Sequence, residues 1–247
     1  MVNNLPVKEV GRSISRSRGC MTRICSVVTL SLLLCGVLQA ADIEGTIIVK
    51  RKLTKPKVTA VANSYERGPA VPLDADHEED PLAAERSRVV LYLESDKLPS
   101  RSVTATLEQK NRRFGPSDVL VVPVGSTVSF PNLDDIFHNV FSLSKPKSFD
   151  LGNYAKNQTR TVTFTKPGLV FVNCHLHPNM SAVIVVTPNR WAVKATPSGK
   201  FVLPQVPPGK YTLVAWHKAA GFFRQEVTVT DKGISGIEFL IPLESAN

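Results

Sequence analysis

Along the chain, short stretches in which β-branched and aromatic residues alternate with polar ones are punctuated by Gly, Pro and Asn, and no long helical period appears. Alternation of this kind places strands over residues 43–50, 89–94, 103–108, 119–124, 127–131, 139–143, 159–165, 169–174 and 182–187. Short strands at regular spacing between turn residues predict an all-β sandwich or barrel. After Pro188 a second series begins, over 191–195, 200–203, 211–216, 222–230 and 237–241, with Pro207, Pro208 and Gly209 turning one strand into the next. About 60 residues of strand bury a thin core, so this second unit is expected to lean on the first. Between residues 55 and 87 periodicity is missing and Asp74, Asp76, Glu78, Glu79 and Asp80 accumulate, which predicts a long surface loop.

The first residues change how much of the chain these strands must account for. Met21 and Arg23 lead into an apolar run from Ile24 to Leu38 that ends at Gln39, Ala40 and Ala41. A positive start, a short apolar run and small residues at its end read as a secretory signal, too short for a comfortable membrane span. Met21 serves equally well as the start of that signal. The expected organisation is a signal over 1–40, a first domain over 41–187 and a second over 188–247, with a periplasmic or secreted mature chain that has no membrane span.

Removing residues 1–40, with five basic residues and one acidic one, lowers the formal charge from +9 to +5. That excess does not call for nucleic acid, but it favours approach of an acidic partner. Cys20, Cys25 and Cys35 leave with the signal, so Cys174 is the single mature thiol and no internal disulfide forms. In an oxidising compartment a lone thiol is buried and inert, joined to another chain, or bound to a metal.

Cys174 shares one short stretch with His175, His177, Pro178 and the sole mature methionine, Met180. Thiolate, imidazole and thioether form a soft donor set suited to copper, with the thioether as a weak axial ligand. A Cys and His set also accommodates Zn(II) in a tetrahedral site. The donor missing from this loop is a second imidazole, for which His138 is the natural candidate. Cys174 then supplies the thiolate at a strand end and His177 the loop imidazole, while Pro178 stiffens the return. His175 alternates away from Cys174 on an extended strand and is expected to point outward. His77 among its carboxylates reads as solvated, His217 as structural or on the surface, and Asp134 and Asp135 as a turn.

His138-Asn139-Val140 followed by Cys174 through Met180, spaced Cys-x-x-His-x-x-Met, resembles the cupredoxin family, in its amicyanin and plastocyanin-like form. The resemblance implies a Greek-key β-sandwich holding one type 1 copper that cycles between Cu(I) and Cu(II). It implies a soluble electron carrier rather than an enzyme, with His138, Cys174, His177 and Met180 as the metal ligands. By the same resemblance Asn139 ties the His138 strand to the cysteine loop. Electrons would pass through the edge of His177 to a redox partner docked on Val140, Phe141, Leu176 and Pro178. The stretches 196–201 and 206–213 make the second unit similar to a carboxypeptidase regulatory-like (transthyretin-like) β-sandwich, a module of contact or scaffolding. Two alternatives stay open: a copper carrier or buffer using the same ligands, and a structural envelope protein with a vestigial site. Copper oxidases need further histidine pairs, so catalysis is not expected from five histidines in all.

Overall fold

A computed structural model describes residues 40–53 and 80–242. Residues 1–39 of the expected signal over 1–40, His77 and most of the acidic stretch lie outside the described residues. In chain order the first elements are β1 (Ala41–Val49), a short helix α1 (Ala83–Arg86), β2 (Val90–Glu94), β3 (Thr104–Thr106), β4 (Glu108–Lys110) and β5 (Arg113–Gly115). Next come β6 (Val119–Pro123), β7 (Thr127–Pro131), β8 (His138–Ser144), β9 (Lys147–Tyr154), β10 (Thr159–Thr163), β11 (Gly168–Asn173) and β12 (Ser181–Thr187). The last are β13 (Ala192–Lys194), β14 (Lys200–Val206), β15 (Gly209–His217), β16 (Gly221–Val229) and β17 (Ile234–Ile241). The fold is all-β, as the alternation predicts, and no helix among the described residues is long and apolar enough to cross a membrane.

The ladders build four principal sheets, ordered β10-β7-β3, β6-β12-β11-β8-β9, β13-β2-β15-β16 and β14-β1-β17. Three apolar cores bind these sheets as successive layers. The first lies between the two sheets that contain β7 and β12, and holds Val128, Phe130, Val140, Val170, Val172 and Ile184. A second core, between the sheets that contain β2 and β1, holds Ile43, Ile47, Leu91, Leu213, Leu203 and Phe239. The third joins the two sandwiches: Val119, Val183 and Val185 on one sheet meet Val90, Tyr92, Val214 and Trp216 on the other. Strands β2 and β12 therefore have apolar cores on both faces, which explains why both read as nearly continuous hydrophobic runs.

The second sandwich covers only part of the five-stranded sheet. Along one row of its outer face Val183 on β12 is fully buried, Phe171 beside it on β11 is 47% exposed, and Leu143 on β8 is 83% exposed.

Two expectations about the early strands change. The strands at 43–50 and 89–94 were assigned to the first domain, but β1 pairs with β14 and β17, and β2 with β13 and β15. The boundary drawn at 187 thus separates strands that hydrogen-bond to one another. Strand β9 answers to no expected strand; it pairs with β8 along its length. Between Asn139 and Phe141 that ladder skips one residue on β9, at a bulge where Gly152 adopts φ 66°. Glycine enters this left-handed region without the Cβ clash that other residues meet, and the bulge re-aims the side chains beside it.

Of the two roles expected for His217, the surface one falls away, since the residue sits at the end of β15 with no exposure. Its Nδ1 accepts from the N–H of Ala219 at 3.2 Å, and Glu85 of α1 brings Oε2 within 3.1 Å of Nε2. Burial holds the imidazole below its ordinary 6.5, against the pull of Glu85. A depressed histidine disfavours its own protonation in the folded state. Stability is therefore full above the unfolded value and declines as pH falls through it. Thermal unfolding of His217→Gln is expected to lose less stability than the native chain between about pH 7 and pH 5. Equal losses in the two proteins would show that His217 does not carry this dependence.

Candidate metal centre

Asn132, fully buried, pins the loop that delivers His138 to β8. Its Nδ2 donates to the carbonyls of Ile136 (2.8 Å) and Tyr154 (3.0 Å), and its Oδ1 accepts from the N–H of Asp134 (2.9 Å). Its own N–H and carbonyl bond Gln158 and Asn157 across the neighbouring turn. Every polar group of that side chain is thus engaged, which holds the loop in one shape. Opposite it, β11 ends at Asn173 and β12 begins at Ser181, with the cysteine loop between them. Cys174 N–H donates to the Met180 carbonyl (3.2 Å) and Met180 N–H to the His177 carbonyl (2.9 Å), so the loop closes on itself.

The structure brings His138, Cys174 and His177 together. Their donor atoms all lie within 4.8 Å of one another, with His138 and Cys174 buried and His177 half-buried. The two Nδ1 atoms are 3.1 Å apart, and Cys174 Sγ is 3.6 Å from His177 Nδ1. Bonds from imidazole nitrogen or thiolate to a transition-type ion run about 2.0 to 2.3 Å, so the sum of two exceeds either spacing. One ion can therefore bond both members of each pair, and the donor set fits copper. Met180 is 1% exposed and packs in the same core as Cys174.

Several groups around these donors prepare them. The N–H of Asn139 donates to Cys174 Sγ at 3.4 Å and holds the sulfur in place. Burial lowers the basicity of His177, reinforced by His138 and Arg112 and opposed by Asp134, so its ring stays neutral and able to ligate. Asp134 feels burial, which would raise it, but hydrogen bonds from Arg112, His138 and Asn111 outweigh that and keep the carboxyl ionised. Tyr154, opposite His138 in the β8–β9 ladder, is pushed up to about 12 by burial and remains a phenol donating to the Phe130 carbonyl at 2.9 Å.

His175 points outward, stacked flat on Phe141 with ring centroids 3.6 Å apart, and its donors stay outside the cluster. Asn139 ties its strand to the cysteine loop only through its backbone, because its side chain donates to Asp150 Oδ1 at 2.7 Å. Asp150 also accepts from Gly152 N–H at 2.8 Å, within the bulge. Val140 is fully buried and offers nothing to a partner, since it shares the inward face of β8 with His138. Phe137, 60% exposed beside His138, takes that place next to exposed Leu176 and Pro178. Asp150 carries no signal in the sequence, and Asp134 reads there only as part of a turn; its spacing, four residues before His138, was the one sign of its contact with that ring.

No protein-family model matches this chain, and neither does any curated protein. Among solved structures it is similar to a copper-containing nitrite reductase from Thermus scotoductus SA-01, at 30% identity over 35% of this chain and TM-score 0.32. The match spans 23% of that reductase. A purple cupredoxin from Nitrosopumilus maritimus is 22% identical over 34% of this chain and 99% of its own, with TM-score 0.30. A reduced amicyanin variant is 22% identical over 39% of this chain and 97% of its own, with TM-score 0.32.

Proposed function

We propose that this protein is an exported copper protein that carries single electrons between redox partners, with one copper held by His138, Cys174, His177 and Met180. The observation that supports this reading is the convergence of two imidazole nitrogens and the cysteine sulfur inside 4.8 Å. Bound copper supplies a one-electron couple between Cu(I) and Cu(II). The chain's own residues supply rigidity. His138 is immobilised by its buried loop, Cys174 and Met180 by the closed cysteine loop, and the sulfur by the Asn139 N–H. A donor set that cannot rearrange suits neither oxidation state fully, and so changes little between them. His177 is the half-buried donor, and the exposed Phe137, Leu176 and Pro178 flank the donors along the chain. A redox protein docks there, against the edge of His177. The second sandwich acts as a scaffold that covers one part of the copper-binding sheet.

The test is a visible spectrum of the purified protein with one equivalent of Cu(II), before and after ascorbate. An intense thiolate-to-copper band that bleaches on reduction is the expected result. Tight Cu(I) binding without that band would instead favour copper carriage. Failure to bind either ion would return Cys174 to a role in packing, and preference for Zn(II) over copper would make the site structural.

A further inference from the structure

The turn between β4 and β5 consists of Asn111 and Arg112, both at φ 55°. Successive backbone N–H groups in such a turn form a concavity that binds anions. Here the anion is supplied by the chain itself: Asn111 N–H donates to Asp134 Oδ1 at 2.7 Å and Arg112 N–H to Oδ2 at 2.9 Å. The loop that carries Asp134 is fastened to the same hairpin, because Leu133 N–H donates to the Gln109 carbonyl at 2.9 Å. The remaining capacity of Oδ2 faces His138, whose Nε2 lies 2.8 Å away.

From this geometry we infer that Asp134, seated in the β4–β5 turn, is the positioning residue that fixes the tautomer of His138 and aims its Nδ1 lone pair at Cys174 and His177. An ionised carboxylate can only accept a hydrogen bond, so the proton of a neutral His138 resides on Nε2. Nδ1 is then unprotonated and faces His177 Nδ1 across 3.1 Å. In the opposite tautomer Nδ1 would carry the proton, and a fully buried ring has no room to present its other nitrogen. In the metal-free protein the proton within the 3.1 Å gap belongs to His177, the less buried of the two rings. The hairpin at 108–115, remote in sequence from every donor, thereby becomes part of the site. The use of this arrangement rests on the copper reading above, whereas the tautomer itself does not.

The test uses the full chain, metal-free and labelled with 15N in its histidines. The native protein is expected to show His138 protonated at Nε2 and bare at Nδ1. In Asp134→Ala, His138 should become a mixture of tautomers, and affinity for Cu(I), measured by competition with a colorimetric chelator, should fall about 10- to 100-fold. Asp135→Ala removes the neighbouring carboxylate of the same loop, which pairs with Lys156 at 2.7 Å instead, and should change neither readout. If Asp134→Ala does not fold, Asp134→Asn keeps the size but puts an amide donor among donors, and should weaken the Nε2–H signal and the affinity in the same direction. Native His138 protonated at Nδ1, or both Asp134 variants retaining the native tautomer and affinity, would overturn the inference. A native protein that binds no copper while His138 shows the expected tautomer would instead defeat the copper reading and leave the positioning role standing.

Discussion

Replacing Cys174 by serine is expected to abolish the visible charge-transfer band entirely and to weaken Cu(I) binding by more than the roughly 100-fold seen when outer residues of metal sites are removed. The reason is electronic. A thiolate is both the soft donor that holds Cu(I) and the group whose electrons are excited in that transition, and a hydroxyl is neither. Fold loss is not the expected explanation, because serine keeps a small side chain that can still accept from the Asn139 N–H. Thermal unfolding of the metal-free variant should therefore shift by only about 1 to 2 kcal/mol, the range for exchanging one buried group. If Cys174 were only a packing residue, copper binding would be untouched and the stability shift would be the sole effect of the substitution. Spectra and unfolding curves on the same preparation separate the two.

The cysteine loop was legible because its chemistry is local. Cys174, His177 and Met180 lie within seven residues, and no tertiary knowledge is needed to see a donor set there. Strands β7 and β11 were legible for a similar reason, since alternation against the core survives in each, and β6 and β12 were legible as short runs rich in β-branched residues. Pairing was not legible. The runs that became β1 and β2 read clearly as strands, but nothing local says that their ladders lie with β13 to β17. The double-sided apolarity of Val90, Leu91, Tyr92 and Leu93 was a signal of an inner layer. Strand β9 was hidden because Asp150, Gly152 and Asn153 look like turn residues, and in a bulge they partly behave as such. The β4–β5 hairpin lacks the usual Asn-Gly pair, carrying Arg112 at its second left-handed position. Asp134 reads as a turn residue until that hairpin is seen to bring two N–H groups to its carboxylate.

Truncating Trp216 to alanine is expected to cost about 3 to 5 kcal/mol, the usual range for removing a large buried aromatic side chain. Trp216 is 2% exposed and fills the core that joins the two sandwiches, against valines of β2, β6 and β12. The consequence should extend beyond its own sheet. Strand β12 turns Val183 and Val185 toward Trp216, and turns Ala182 and Ile184 into the core that contains Cys174 and Met180. One strand therefore forms the wall of both cores, and its first residue follows Met180 directly. Cores that share a wall cannot loosen independently without exposing one face of it to water. Calorimetry of the native protein should accordingly show one cooperative transition. In Trp216→Ala that whole transition should move down, by roughly 2 to 4 °C for each kcal/mol lost in a domain of this size. Two transitions, with only one displaced by the substitution, would show that the sandwiches fold separately and that the core between them is an adhesive contact.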